Sequence, residues 1–219
     1  MTLRQKLRTA VAGLGLVGTL ATGTQAGVFR VDAMDDRTTV DVRHGFSLTP
    51  TESPVKLDAF MRARVHSPYD GKSAYGAFVD VNTDLGHGLL FTVEANSATN
   101  TRPYLNVGLT YAGQAGSIGN VLFFPNITAT GERHPFNTVL NIDRKDSVYG
   151  RDVVTRFESL TSWNTEGSKP FASAEERLRV GLDVGYGIFA GPAIDAIQTT
   201  PKGKFKEDYR FGGFIQKNF

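Results

Sequence analysis

Tyr209-Arg-Phe-Gly-Gly-Phe-Ile-Gln-Lys-Asn-Phe219 ends the chain. Tyr209, Phe211, Gly213, Ile215 and Phe219 fall on one face of an extended strand. Arg210, Gly212, Gln216 and Asn218 fall on the other, with Phe214 the one large apolar residue among them. Successive side chains of a strand point to opposite faces, so this alternation predicts a strand with one apolar and one polar side.

The same period recurs upstream. Val40, Val42, Phe46 and Leu48 oppose Asp41, Arg43 and Ser47 within 38–48. Leu57, Ala59, Met61, Ala63 and Val65 oppose Lys56, Asp58, Arg62, Arg64 and His66. Further segments carry Tyr75 to Val81, Leu89 to Ala95, Leu105 to Tyr111, and Leu178, Val180, Leu182, Val184, Tyr186 and Ile188. Segments near 118–127, 136–144 and 151–163 alternate more weakly, and 189–200 is ambiguous around Gly191-Pro192. Between segments lie stretches rich in Pro and Gly, such as Thr49–Pro54, Ser67–Gly71, Asn82–Gly86 and Thr165–Pro170, where backbone limits place turns. No stretch has the 3.6 period of a helix, and no linker divides the chain. About ten strands in one all-β domain are expected.

The N-terminal end has a different character. Arg4, Lys6 and Arg8 precede an apolar run from about Ala10 to Leu20, and small and polar residues lead to Thr24-Gln25-Ala26. This is the layout of a secretory signal peptide, residues 1–26, with cleavage expected after Ala26. The run is too short to span a bilayer as a helix. The chain has no cysteine, which excludes disulfides and a lipid-modified cysteine. It has 24 basic and 22 acidic residues; without the three signal cations the balance is 21 to 22, a net −1. That gives nucleic-acid binding no support. Hydrophobic residues are 40% of the chain, enough for strands that need an apolar side chain only at alternate positions.

A signal peptide, dyad strands and a terminal aromatic strand ending in Phe219 together resemble a bacterial outer-membrane β-barrel. A soluble β-sandwich or lipocalin-like barrel shares the period but not these companions. Tyr75, Tyr104, Tyr111, Trp163, Tyr186 and Tyr209 stand near strand ends, where an interfacial girdle would sit. The resemblance implies one antiparallel up-and-down transmembrane β-barrel over 27–219, with an even count of 10–12 strands. It implies a place in the outer membrane of a Gram-negative envelope, with membrane lipid and the barrel-assembly machinery as partners and a monomeric state. Tyr209, Phe211, Gly213, Ile215 and Phe219 would be the insertion signal, with Tyr209–Phe219 pairing to the first strand.

If the apolar faces meet lipid, their alternating partners point inward. Arg43, Arg62, Arg64, Arg156, Arg179 and Arg210 are all on polar faces. A charge on the lipid side costs roughly 2–4 kcal/mol at the midplane, so these arginines belong in the lumen. Two readings follow. A cationic lumen would attract small acidic solutes through guanidinium–carboxylate recognition. Alternatively Asp41, Asp58, Glu94, Glu158 and Asp183 neutralise the arginines, and a barrel filled by such pairs is closed.

Val40-Asp-Val-Arg-His44 and Arg102-Pro-Tyr-Leu105 resemble corresponding pieces of the oligogalacturonate-specific porin family, small monomeric barrels with arginine-lined pores for acidic oligosaccharides. That implies passive uptake of small, hydrophilic, acidic solutes. Other outer-membrane barrels are lipid-modifying enzymes. His44, His66, His87 and His134 are the histidines, and only Asp58, Arg62 and His66 loosely share one strand face. There is no Gly-x-Ser-x-Gly elbow and no His-Glu-x-x-His. No catalytic residue, metal or cofactor is expected. An enzyme acting on lipid or acyl substrates, or an interaction barrel using loops near 128–135 and 164–175, are the alternatives.

Overall fold

The structure is a computed structural model. It describes residues 27–218, apart from 50, 51, 53, 54, 56, 69, 70, 100, 131–133, 166–170 and 201–203. The expected signal peptide and Phe219 lie outside the described residues.

Twelve strands follow one another: β1 Gly27–Met34, β2 Arg37–Ser47, β3 Leu57–Pro68, β4 Ala74–Gly86, β5 Leu89–Ala98, β6 Tyr104–Ala115, β7 Gly119–Thr128, β8 Phe136–Val148, β9 Arg151–Trp163, β10 Phe171–Gly185, β11 Ile188–Thr199 and β12 Lys206–Asn218. Each pairs antiparallel with its sequence neighbours, and β1 pairs with β12 to close the barrel. The closing register runs from Val28↔Asn218 to Met34↔Gly212. Closure removes the unpaired strand edges that an open sheet would present to lipid. The even count and the up-and-down order agree with the expectation from sequence.

The outer wall is apolar for the reason the sequence suggests. Val65, Val79, Phe91, Leu109, Leu182, Phe211 and Ile215 are exposed. The strand registers put them on one side of the sheet and the charged residues on the other. Aromatic side chains gather toward both ends. At the end away from the termini, Trp163 packs edge-to-face on Phe171 with centroids 5.8 Å apart, and Phe171 lies 6.3 Å from Phe205. Tyr75 and Tyr209 are exposed at the same end. Two girdle expectations need correction. Tyr104 is in register with Asn96 and so belongs to the inner face, while Tyr186 sits in a turn.

Turn chemistry differs between the two ends. At the end carrying the termini, His87-Gly88, Tyr149-Gly150 and Tyr186-Gly187 each have positive φ at both residues, as a two-residue type I′ hairpin requires. Two of these turns share a local design. Asp84 and Asp183 each accept a hydrogen bond at 2.7 Å from the backbone N–H two residues on, at Gly86 and Gly185, where the ladder bulges. The opposite end has longer links, including 129–135 and 164–170. The usual arrangement of transmembrane barrels, short turns at the terminal end and longer links opposite, is followed in part: the β2–β3 link at the terminal end spans 48–56, and the β1–β2 turn opposite spans 35–36.

The weakly patterned segments are strands after all, and their blurred alternation has physical causes. In β9, Val154 and Leu160 point inward while Thr155, Ser159 and Thr161 face outward. In β8, Arg144 and Asp146 stand outward near the terminal end and pair with each other at 2.7 Å. β1, too short to be counted from sequence, alternates as Phe29, Val31 and Ala33 against Arg30 and Asp32.

Candidate functional site

The interior of the barrel is where the charged residues meet. Arg30 of β1 is in register with Asp41 of β2, and Asp41 with Arg64 of β3; Arg43 is in register with Arg62. Four guanidiniums therefore surround one carboxylate on a single sector of wall. Asp41 takes Arg30 at 3.1 Å, Arg43 at 3.0 Å, Arg62 at 2.5 Å and Arg64 at 3.2 Å. Asp41 is 0% exposed and Arg30 1%. Buried charges are tolerated only when paired, so this group stands or falls as a unit.

A second carboxylate arrives from the other side. Glu158 is on β9, six strands from β3 in either direction around the ring. Its Oε1 takes Arg30 Nη1 at 3.3 Å and also contacts Arg43 Nη2; its Oε2 takes Arg62 Nη2 at 3.1 Å and Arg64 Nη2 at 3.4 Å. The ion pairs thus run across the bore. The four arginines meet two carboxylates of their own, plus a contact at 3.3 Å to Asp32, which is also bound by Arg179 at 2.9 Å. Nε of Arg43 and of Arg64 is buried with no hydrogen-bond partner among the described residues. The sector therefore holds four guanidiniums, all largely buried, against the shared carboxylates of Asp41 and Glu158.

The remaining arginines form separate groups. Arg179 bonds Asp32 and, at 2.7 Å, Asp195, and its Nη1 donates to the carbonyls of Leu178 and Ile194 at 3.0 Å. Arg156 pairs with Asp143 and donates to Gln216 at 2.9 Å. Arg177 pairs with Glu175, its Nε bonding at 3.0 Å. Arg210 lies toward the end away from the termini and pairs with Asp36 at 2.8 Å and Asp208 at 2.9 Å.

Of the six arginines expected to line one lumen, then, only Arg43, Arg62 and Arg64 converge. Arg156 and Arg179 are neighbours across the β9–β10 ladder, and Arg210 stands apart. Arg30 and Arg177, absent from the expectation, are buried inside. The signal for Arg30 was present in the run Phe29-Arg-Val-Asp-Ala33, whose alternation continues into β2.

Neutralisation is real but selective. Asp41 and Glu158 bind the arginines, whereas Glu94 takes the amides of Asn96 at 2.5 Å and Asn106 at 2.7 Å. Asp183 caps its turn, and Asp58 faces Asn82 across the ladder. The β4–β7 wall is accordingly a network of amides and hydroxyls, joined by Thr128 to Asn106 at 2.8 Å and Thr92 to Asn82 at 2.6 Å. Near β11 and β12 the interior is apolar, with Met34, Phe189, Ala193 and Phe214 buried together against Val154. The large apolar exception of the terminal strand is part of this internal cluster.

The histidines do not assemble a relay. His66 Nδ1 lies 2.9 Å from the Thr39 hydroxyl. Asp58, Arg62 and His66 share the inner face of β3 but are four residues apart, about 13 Å per step along a strand. His44 faces outward and stacks on Phe46 with centroids 6.2 Å apart. Among the described residues no group of three His, Cys, Asp or Glu is placed to hold a metal ion.

A closed twelve-strand barrel with an apolar outer wall, aromatic ends and a buried charged interior is a transmembrane β-barrel of the bacterial outer membrane. No family model matches the chain, and no curated protein does. Among solved structures it is similar to LpxR from Salmonella typhimurium, at 10% identity and a TM-score of 0.41, covering 88% of this chain and 99% of that one. It is also similar to CdiB from Acinetobacter baumannii, at 7% identity and a TM-score of 0.39, covering 89% and 60%. The beta domain of the Bordetella autotransporter BrkA matches at 10% identity and a TM-score of 0.32, covering 88% and 98%. The assignment to the outer membrane rests on the barrel's own geometry.

Proposed function

We propose that the barrel is a small channel for diffusion of hydrophilic, acidic solutes across the outer membrane. The observation that carries this reading is the arginine sector of β1–β3. Arg30, Arg43, Arg62 and Arg64 all contact Asp41 from their own neighbourhood and Glu158 from the opposite wall, and Arg30 also meets Asp32. Guanidinium groups bind carboxylates through parallel N–H···O bonds. The β4–β7 wall faces the rest of the solute with amides and hydroxyls, among which the carboxylates of Asp80 and Glu94 stand in register. Arg156, Arg179 and Arg210 act from their own ion pairs, shaping the field along the path.

Acidic saccharides suit this pairing of an arginine sector with a wall of amides and hydroxyls, their carboxylates kept to the arginine side by Asp80 and Glu94 on that wall. The porin resemblance points the same way, since Val40-Asp-Val-Arg-His44 contributes Asp41 and Arg43 to the centre of the cluster.

Reversal potentials across a salt gradient in planar bilayers test the proposal. Anion preference is expected, reduced when Arg62 and Arg64 are changed together to Gln. Cation preference, or silent membranes containing barrels whose folding is verified by heat-modifiable migration, would count against it.

A further inference from the structure

Glu158 is a carboxylate already bound to the arginines that the channel reading assigns to an acidic solute. It is the carboxylate that reaches the β1–β3 arginines from the opposite wall, and its two oxygens divide between Arg30 and Arg43 on one side and Arg62 and Arg64 on the other. Asp41 belongs to the arginine sector itself, in register with Arg30 and Arg64, and contacts all four guanidiniums from their own side of the wall. The contacts made by Glu158 are therefore what joins the two walls across the bore at this level.

A second partner for Glu158 stands beside it. Arg177 of β10 is in register with Glu158 across the β9–β10 ladder. In the structure Arg177 is engaged by Glu175, from its own strand. Cross-strand neighbours in a register pair are within reach of long side chains. Glu158 thus has two cationic environments, one across the bore and one on its own wall.

We propose that Glu158 is the selectivity gate of the channel, a tethered anion that a solute carboxylate must displace from Arg43, Arg62 and Arg64 before the bore opens. This inference rests on the channel reading above. With Glu158 across the bore, the two walls are joined and the path is narrow. When a solute carboxylate takes the guanidinium donors, Glu158 swings back to Arg177, and no charge is left buried without a partner in either state. The exchange swaps one carboxylate for another, so an anionic solute is able to shift the equilibrium where a neutral or cationic one, with no differential affinity for the arginines, is not. Discrimination then comes from the requirement to replace an internal ligand as well as from attraction by the field.

The test is single-channel recording of the full barrel in planar bilayers, with glutarate as the carboxylate probe and glycerol as the neutral control. For the wild type, glutarate should raise the open-to-closed ratio by about tenfold and glycerol should leave it unchanged. Glu158→Gln should be open without glutarate and insensitive to it. Arg177→Gln, which removes the retracted partner, should lower the open-to-closed ratio, and adding Glu158→Gln to it should restore the open behaviour. If Glu158→Gln does not assemble, Glu158→Asp keeps the charge and shortens the reach by one methylene, and it should likewise favour the open state.

A wild type and a Glu158→Gln barrel that conduct alike, with equal response to glutarate, would overturn the gate and leave the channel reading in place. Folded barrels of both kinds that conduct nothing would overturn both.

Discussion

The ring of Phe214 on β12 lies over Gly181 on β10, its Cζ 2.6 Å from the point a Cβ on Gly181 would occupy. Gly191 on β11 stands between them in register with Phe214, so two glycines leave the space that this aromatic fills. A large ring covering inward glycines packs an otherwise bare stretch of wall.

Replacement at these glycines should separate two kinds of crowding. The obstacle at Gly181 is the far end of a side chain, whereas at Gly191 it is the carbonyl of Val180 at 2.0 Å and at Gly212 the carbonyl of Ala33 at 2.1 Å. Gly191→Ala and Gly212→Ala are expected to destabilise by about 1–3 kcal/mol, and Gly181→Ala by less, because the ring can tilt. Urea unfolding in lipid, followed by the fluorescence of Trp163, the single tryptophan, gives the comparison.

The two faces of β10 should respond oppositely to charge. Val180 faces outward, and Val180→Arg is expected to cost about 2–4 kcal/mol if the residue lies near the bilayer midplane. On the inner face, Arg179→Met keeps much of the volume but leaves Asp32 and Asp195 without the guanidinium they share. Breaking a buried pair from one side costs about 3–5 kcal/mol. Equal and small effects at both positions would contradict the assignment of faces.

The type I′ turns offer a stabilising change. Tyr149 and Tyr186 have φ of 51° and 56°, a region costly for side chains other than Gly, Asn and Asp. Tyr149→Asn is expected to stabilise by up to about 1 kcal/mol through relief of this strain. Gly187→Ala, at φ 71°, should destabilise by a similar amount. Unfolding midpoints of the refolded variants decide it.

Trp163 should report the depth of the aromatic belt. It stands at the end of β9 away from the termini, against Phe171. Quenching by lipids labelled near the headgroup should exceed quenching by lipids labelled near the chain ends, as for an interfacial indole. The reverse order would move the membrane boundary along the strands.

Deleting Phe219 should lower the fraction of chain assembled in the outer membrane while leaving the purified barrel able to refold in detergent. Tyr209, Phe211 and Ile215 are exposed on β12. Heat-modifiable migration of envelope fractions measures the first effect, and refolding yield the second.

Much of the wall was legible before any coordinates. The alternation of Leu178, Val180, Leu182 and Val184 against Arg179, Gly181 and Asp183 assigns each residue to a face, because a strand has a period of two and a bilayer tolerates no charge at its centre. The same logic placed Arg43, Arg62 and Arg64 inside, while the pairing of the terminal strand with the first was implied by the resemblance to outer-membrane barrels. It faltered in β8 and β9, where inward Val154 and Leu160 and outward threonines blur the two faces. It faltered again at Tyr104, whose place near a strand end said nothing of the face it occupies.

The interior belongs to the tertiary structure alone. Glu158 and Arg62 are separated by 96 residues, and their meeting depends on barrel closure and register, which bring β9 opposite β3. Phe214 reads as an exception in its strand until the ring closes and Gly181 and Gly191 leave room beneath it. Local periodicity determined which side of the wall each residue takes. Only closure decided which residues face one another across the bore, because those distances depend on strand number and register together.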